Sequence, residues 1–265
     1  MNIYAELTRT FNRHGLRAIL AGGQAVVLHR LAVMSKDGDW ILREDDETTA
    51  FILSVLETYG ARYRFGAPLD TRWLAGGWSS HLEFRHGDIR VRTDFVTRPP
   101  RLDAQSLKRL WENPPSFPIP RVEPRELAEM KKTNREKDYA VIGELARIMD
   151  KLEDRILCSR SARDLLDLAN RHPDIFEALS SKRPTLLAAS QGLEALESAL
   201  DAERRQLIHA NERRLAQYMT VAKPWADIWP DIAAAIDGKP LAEAHKIMCL
   251  RAEICLPCRL EGQPS

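Results

Sequence analysis

Three aspartates and a glycine pair form the pattern in this sequence with the clearest chemical meaning. Asp37 and Asp39 are separated by one residue, Asp94 lies in a later apolar segment, and Gly22 and Gly23 follow a short apolar run. Carboxylates that meet at one edge of a sheet can ligate Mg²⁺, which prefers oxygen ligands. Two such ions can align and neutralise a phosphate chain. The spacing therefore predicts a metal-dependent nucleotidyl-transfer site at the three aspartates.

For these side chains to meet, strands must carry them. Residues 18–21 predict a first strand that ends at the glycine pair, where positive φ and a close approach of backbone to ligand are allowed. Residues 39–42 predict a second strand, and residues 89–96 predict a later one that contains Asp94. Three amphipathic segments predict helices, one before the first strand at 5–14 and two after it at 24–33 and 45–59. The simplest arrangement is an α/β (α+β) fold, with a small mixed β-sheet covered by helices.

The spacing of hydrophobic residues along the chain changes near residue 123. Residues 1–122 alternate helix and strand patterns, with a predicted loop at 69–78 and a hairpin turn at 86–88. The following residues are mostly helical, and prolines interrupt them. We therefore predict an α/β domain over 1–122 that contains the site, and a mostly α-helical C-terminal domain over 123–265.

Composition limits the class of protein. Of 265 residues, 44% are hydrophobic and 29% are charged, as in ordinary globular proteins. The net charge of +1 provides no global field that attracts nucleic acid, so such contacts would need a local patch. No apolar run approaches the ~20 residues that cross a bilayer, and the N-terminus lacks the features of a secretory signal. With four cysteines, these features predict a cytoplasmic protein with reduced thiols and no membrane partner.

The order of the motifs resembles the DNA polymerase β-like nucleotidyltransferase superfamily. Its members carry a Gly-Gly or Gly-Ser turn after the first strand, then Asp-x-Asp, then one further Asp on a later strand. The opening Gly22-Gly23-Gln24-Ala25 is most similar to that of the AbiEii-type toxin nucleotidyltransferases. The segment 127–138 resembles a helix signature of the same family, in which a lysine precedes Arg-x-Lys-Asp.

The resemblance implies a role for each of these residues. The three aspartates would be catalytic and would ligate Mg²⁺ or Mn²⁺. The implied nucleotide-binding residues are Gly22, Gly23, Ser35, Lys36, Lys131 and Arg135. Many members carry Arg-x-Thr before Asp-x-Asp, whereas this chain has Val33-Met34-Ser35-Lys36. The implied activity is transfer of an NMP from an NTP to an acceptor hydroxyl. The acceptor could be RNA, a protein side chain or a small molecule, and the resemblance to the toxin group makes a tRNA end the first candidate. An antitoxin protein is a candidate partner, as in a toxin–antitoxin pair.

Other interpretations of the same residues stay open. A catalytically inactive nucleotidyltransferase-like module would dock a partner protein or a nucleotide, and a two-metal nuclease would cleave RNA without NTP. Lys131 and Arg135 alternate with acidic residues, as on an ordinary solvated helix face. Arg90 and Arg92 share a strand face with Asp94, where they would either bind phosphate or compensate the aspartates.

The C-terminal region contains a second set of candidate ligands. His245, Cys249, Cys255 and Cys258 have the spacing H-x3-C-x5-C-x2-C. Four ligands of these types can close a tetrahedral Zn²⁺ site. The alternative is that His245 and Cys249 are ordinary residues of an amphipathic helix, because free cysteines are commonly buried.

Overall fold

A computed structural model describes residues 2–114 and 117–259. It has a mixed α/β structure in which a five-stranded mixed sheet is combined with many helices, which confirms the predicted class. Two compact units are present: one consists of the described residues of Met1–Val122 and Gln217–Ser265, and the other of Glu123–Ala216. Among the described residues, no helix combines the length and apolar character that crossing a membrane requires.

The sheet belongs to the first unit. Its strands are β1 Ala18–Ala21, β2 Asp37–Leu42, β3 Arg62–Tyr63, β4 Ser80–His86 and β5 Ile89–Val96. Their spatial order is β1-β2-β5-β4-β3, in which β2 and β5 are parallel and all other neighbours are antiparallel. Alternate residues of β5, namely Val91, Thr93 and Phe95, are buried, so its other face is the more exposed one.

Helices surround the sheet and make up the second unit. In chain order they are α1 Ile3–Phe11, α2 Gly22–Leu28, α3 Asp46–Thr58, α4 Thr71–Leu74, α5 Ala104–Glu112, α6 Pro124–Met130, α7 Glu136–Arg147, α8 Leu152–Cys158, α9 Ala162–Arg171, α10 Pro173–Ser180, α11 Leu193–Val221, α12 Lys223–Ile236 and α13 Leu241–Cys255. A 3₁₀ helix spans Pro184–Gln191. The second unit has its own apolar core, which includes Ile156, Leu165 and Leu196.

An aromatic cluster lies behind the Asp-Gly-Asp segment and fixes β2. The rings of Trp40 and Phe95 stack with their centroids 5.5 Å apart. The indole nitrogen of Trp40 donates a hydrogen bond to Thr8 Oγ1, at 2.9 Å. A Cβ at Gly38 would lie 2.5 Å from atoms of both Tyr4 and Trp40, so only glycine fits between the two aspartates. Since strand side chains alternate, this packing directs the flanking carboxylates to the opposite face.

The C-terminal helices pack on the sheet, whereas the sequence suggested that they belong to a separate domain over 123–265. The Trp73 and Trp78 indoles donate to the carbonyls of Leu256 and Pro257, at 2.9 and 2.8 Å. Trp225 of α12 is 1% exposed and belongs to the same core. The apolar faces of α12 and α13 complete the core of the first unit, so the separate helical unit is 123–216 rather than 123–265.

Candidate functional site

The parallel pairing of β2 with β5 brings the three predicted carboxylates onto one face of the sheet. Asp39 is the direct partner of Asp94 in this register, and Asp37 is the partner of Arg92. Residues directly opposite each other on neighbouring strands project from the same face, and residues two apart in one strand do so as well. Asp37, Asp39 and Asp94 are therefore neighbours although they lie far apart in the chain.

The glycine pair closes against this face. Gly22 and Gly23 form the first turn of α2, directly after β1, and Gly22 has a φ of +56°. A Cβ at Gly22 would lie 1.8 Å from Asp39 Oδ2, and a Cβ at Gly23 would lie 2.2 Å from Ser35 Oγ. Glycine is required at both positions because Asp39 and Ser35 occupy the space of a side chain.

Asp94 is held by two cationic or polar partners. His81 on β4 lies directly opposite Asp94, and its Nδ1 is 2.6 Å from Asp94 Oδ1. A carboxylate can only accept, so Nδ1 carries the hydrogen. The other ring nitrogen of His81 bonds Ser79 Oγ at 2.8 Å, and Arg64 Nη1 is 3.5 Å from the same Oδ1. Among the described residues both contacts use Oδ1, which leaves Oδ2 of Asp94 for another ligand.

Asp37 contains a buried oxygen that lacks a hydrogen bond. Its Oδ1 accepts no hydrogen bond from the described residues, and its nearest cation is Arg92 Nη1, at 3.6 Å. A buried carboxylate oxygen without a hydrogen bond costs free energy, which a bound cation would recover. This oxygen and the oxygen-only donor set fit a hard divalent cation such as Mg²⁺.

The three carboxylates do not converge on a single point. Among His, Cys, Asp and Glu of the described residues, the group of three whose ligand atoms all lie within 4.8 Å of one another is Asp70, His245 and Cys249. Two-metal sites place their ions about 3.5–4 Å apart, and their ligands are correspondingly spread. The aspartate arrangement is therefore compatible with ligands divided between two ions, and not with one closed site.

A groove of about 520 Å³ lies beside Asp37. Its lining includes Ser35, Lys36 and Arg92, together with the exposed apolar side chains of Val33 and Met34, which are 97% and 73% exposed. The groove thus offers cationic groups near the carboxylates and an apolar rim farther along the same loop. This combination suits a ligand with an anionic part and a flat apolar part.

Two residues that were not among the predicted site residues support the groove. Gln24 Nε2 donates to the carbonyl of Ser35 at 2.8 Å, and the Tyr4 hydroxyl donates to the carbonyl of Lys36 at 2.6 Å. Burial raises the pKa of Tyr4, and the negative charge of Asp37 contributes to that increase. The sequence contained no motif for Tyr4, which is an ordinary buried position of α1.

Lys131 and Arg135 lie in the second compact unit, where both contact Asp138. Lys131 Nζ is 3.5 Å from Asp138 Oδ1, and Arg135 Nε donates to Asp138 Oδ2 at 2.9 Å. Thr133 Oγ1 donates to Oδ2 at 2.6 Å. Lys131 is buried while the Arg135 side chain is exposed, so the solvated-face interpretation describes Arg135 but not Lys131.

The arginines of β5 form ion pairs within the sheet. Arg90 donates to Glu83 Oε2 through Nε and Nη2, at 2.9 and 2.6 Å. Arg92 faces Asp37. Arg90 therefore compensates a buried carboxylate, and both arginines line the groove.

The four-ligand zinc set predicted near the C-terminus does not assemble. His245 and Cys249 are close to each other on α13, but the third member of their group is Asp70, and neither Cys255 nor Cys258 joins it. The helical period explains this result, because six residues separate Cys249 from Cys255 and turn the helix by about 240°. Cys258 lies beyond the end of α13 and is exposed.

Comparisons with protein-family models, with curated proteins and with solved structures found no match to this chain. A functional interpretation therefore depends on the geometry of the site: three carboxylates on one face, a glycine corner against one of them, and a groove beside another.

Proposed function

We propose that this protein is a metal-dependent nucleotidyltransferase that transfers an NMP from an NTP to an acceptor hydroxyl. The observation that carries the proposal is the direct pairing of Asp39 with Asp94 on one sheet face. Asp37 lies two residues before Asp39 on the same strand and therefore on the same face. The closure of Gly22 against Asp39 supports it, because it joins the glycine motif to the carboxylates in space. In this interpretation the first unit is a nucleotidyltransferase core.

Each carboxylate has a distinct role in the proposal. Asp37, through its buried Oδ1, and Asp39 and Asp94 would hold Mg²⁺ or Mn²⁺. Bound metal would neutralise charge on the phosphates, as it does in other phosphoryl transfers. His81 contacts Asp94 at Oδ1, which would leave Oδ2 to bind the metal. Asp94 is also the candidate base for the proton of the attacking hydroxyl.

The groove beside Asp37 is the proposed nucleotide site. Lys36 and Arg92 would neutralise phosphate oxygens, while Val33 and Met34 would contact the base. Ser35, held against Gly23, would position this loop. A tRNA end is the first acceptor to test, and an antitoxin is the first protein partner to test, both through the resemblance to toxin nucleotidyltransferases.

A catalytically inactive binding module is the second candidate function. It is favoured by the ion pairs of the carboxylates, since Asp94 already contacts Arg64 and His81, and Asp37 already lies near Arg92. In that case the positive charges of the arginines would neutralise the carboxylates in place of a metal ion. The module would then bind a nucleotide or a partner protein without transferring a group.

The test is incubation with each labelled NTP, Mg²⁺ or Mn²⁺, and total RNA. The proposal expects label in RNA, and loss of that label in Asp39→Asn, which keeps the size of the side chain. Asp88→Asn is the matched control, because Asp88 is an exposed aspartate in the turn that follows β4. Absence of transfer with every NTP and acceptor would support the binding module, and RNA shortened without NTP would indicate a nuclease.

A further inference from the structure

A second cluster of metal-ligating side chains lies away from the aspartate site in the same unit. Asp70 is the N-cap residue of α4, and His245 and Cys249 lie one turn apart on α13. Their ligand atoms all lie within 4.8 Å of one another, and all three residues are partly exposed. We propose that Asp70, His245 and Cys249 bind a Zn²⁺ ion, with its fourth position open to solvent or to a ligand. This proposal does not depend on the proposed function.

The distances match the spacing of ligands around one ion. Cys249 Sγ lies 3.5 Å from His245 Nε2 and 3.7 Å from Asp70 Oδ2. A tetrahedral ion with bonds of about 2.3 Å to sulfur and about 2.0 Å to nitrogen separates those two atoms by about 3.5 Å. Binding would therefore require little movement of the thiol or the imidazole.

The histidine is oriented by a buried tyrosine. The Tyr63 hydroxyl lies 2.7 Å from His245 Nδ1, and it accepts a hydrogen bond from the Leu69 backbone at 3.1 Å. Metal-binding histidines commonly use their second ring nitrogen for such a hydrogen bond, which fixes the ring and the tautomer. In the tautomer in which Nδ1 donates to Tyr63, Nε2, which is 3.5 Å from Cys249 Sγ, carries the lone pair that would bind the ion.

The aspartate is also held in place. Arg72 donates to Asp70 Oδ1 through Nε and to Oδ2 through Nη2, both at 3.0 Å. Arg72 reaches Glu253 as well, at 2.6 Å. One ion pair thus joins α4 to α13 and fixes the position of Asp70 beside the thiol. A carboxylate oxygen can accept from Arg72 and still bind a cation.

The donor set selects the type of metal. A thiolate and an imidazole favour Zn²⁺ over Mg²⁺ or Ca²⁺, which prefer oxygen ligands alone. Three protein ligands with an open position are typical of zinc sites that also bind water or substrate. As the bond to sulfur forms, the Cys249 thiol releases its proton to solvent, and the oxidation states of sulfur and zinc do not change.

Titration of the chelator-treated full chain with Zn²⁺ against a chromophoric chelator tests the proposal. The expected result is one equivalent of bound zinc per chain. Cys249→Ser should reduce the zinc affinity by more than about 10–100-fold, which is the usual effect of losing a residue that only orients a ligand. Cys255→Ser is the matched control, because Cys255 lies on the same helix outside the cluster. It should bind zinc as the unchanged protein does.

Cobalt provides a second readout that does not depend on affinity. With Co²⁺, the unchanged protein and Cys255→Ser should show a thiolate-to-cobalt charge-transfer band that Cys249→Ser lacks. Thermal melts of the metal-free variants identify a substitution that merely unfolds the chain, and Asp70→Asn then serves as the second ligand variant. The proposal is overturned by the absence of stoichiometric zinc, by unchanged affinity in Cys249→Ser, or by equal losses in Cys255→Ser.

Discussion

The carboxylate of Asp39 lies directly against the backbone of Gly22. A Cβ at residue 22 would be 1.8 Å from Asp39 Oδ2, closer than any two such atoms can approach. The glycine corner and the Asp-Gly-Asp segment, which are separate motifs in the sequence, are thus one packed unit. A side chain at residue 22 must displace the carboxylate on which the proposed chemistry depends.

Gly22→Ala is therefore expected to abolish NMP transfer and to destabilise the first unit. Positive φ alone costs an L-residue about 1–2 kcal/mol, and the overlap with Asp39 adds about 1–3 kcal/mol of overpacking. Gly60→Ala separates these effects, because Gly60 has a φ of +64° and no atom within 4 Å of its Cβ position. Urea unfolding of both variants checks the prediction. Equal losses of free energy would show that Asp39 accommodates the added methyl group.

His81 is expected to act as a positioning residue for Asp94. His81→Gln removes the bond between Nδ1 and Asp94 Oδ1, which is 2.6 Å long. The Mg²⁺ concentration that gives half the maximal rate should increase about 10–100-fold, as for other residues that orient metal ligands. His86→Gln, an exposed histidine on the same strand, is the control. An altered rate with unchanged Mg²⁺ dependence would contradict this role.

Much of the sheet follows from local sequence. Strands β1 and β5, and the residues 39–42 of β2, match the predicted apolar segments, because alternation and bounding glycines act over a few residues. The position of His81 opposite Asp94 could also be predicted from the sequence. A two-residue turn at Gly87 and Asp88 sets the β4–β5 register and places His81 opposite Asp94, whereas the predicted turn at 86–88 is one residue longer.

Contacts between distant segments could not be predicted in this way. The predicted loop at 69–78 contains α4 and two tryptophans whose indoles are anchored by residues near 256. Asp70 and Cys249 are 179 positions apart in the chain, so no spacing pattern connects them. Such pairs depend on how α13 packs on the sheet, which is decided by the shape of the whole core.

The half-buried ion pairs of Glu129 in the second unit predict a pH-dependent stability of the fold. Burial would raise the pKa of Glu129, but the cations of Lys132 and Arg125 outweigh it and hold that pKa below its ordinary value. A lowered folded-state pKa stabilises the protein above the unfolded value of about 4.3, and the contribution is lost as the pH decreases further.

Glu129→Gln should therefore lower the free energy of unfolding at pH 7 by about 1.5–3 kcal/mol, as expected for hydrogen bonds to charged groups. The difference from the unchanged protein should shrink as the pH decreases below about 4 and through the lowered folded-state pKa of Glu129, because protonation removes the negative charge of that carboxylate. Glu144→Gln provides the control, since its pair with Arg147 is exposed and should contribute little. Urea unfolding at several pH values measures both, and a difference that persists at low pH would show that packing, not charge, is responsible.

Zinc affinity at the Asp70–His245–Cys249 cluster is expected to increase with pH. Burial raises the pKa of the Cys249 thiol to about 12, with a further contribution from the charge of Asp70 and an opposing one from Arg72. Below that pKa the thiol must release one proton to bind metal, so affinity should increase about tenfold per pH unit between about pH 7 and 9. Burial lowers the pKa of His245, which is therefore already neutral there and adds no second proton.

Competition titrations at three pH values in that range measure the slope. A slope near zero would mean that the sulfur of Cys249 is not a ligand, whereas Cys255→Ser should reproduce the slope of the unchanged protein.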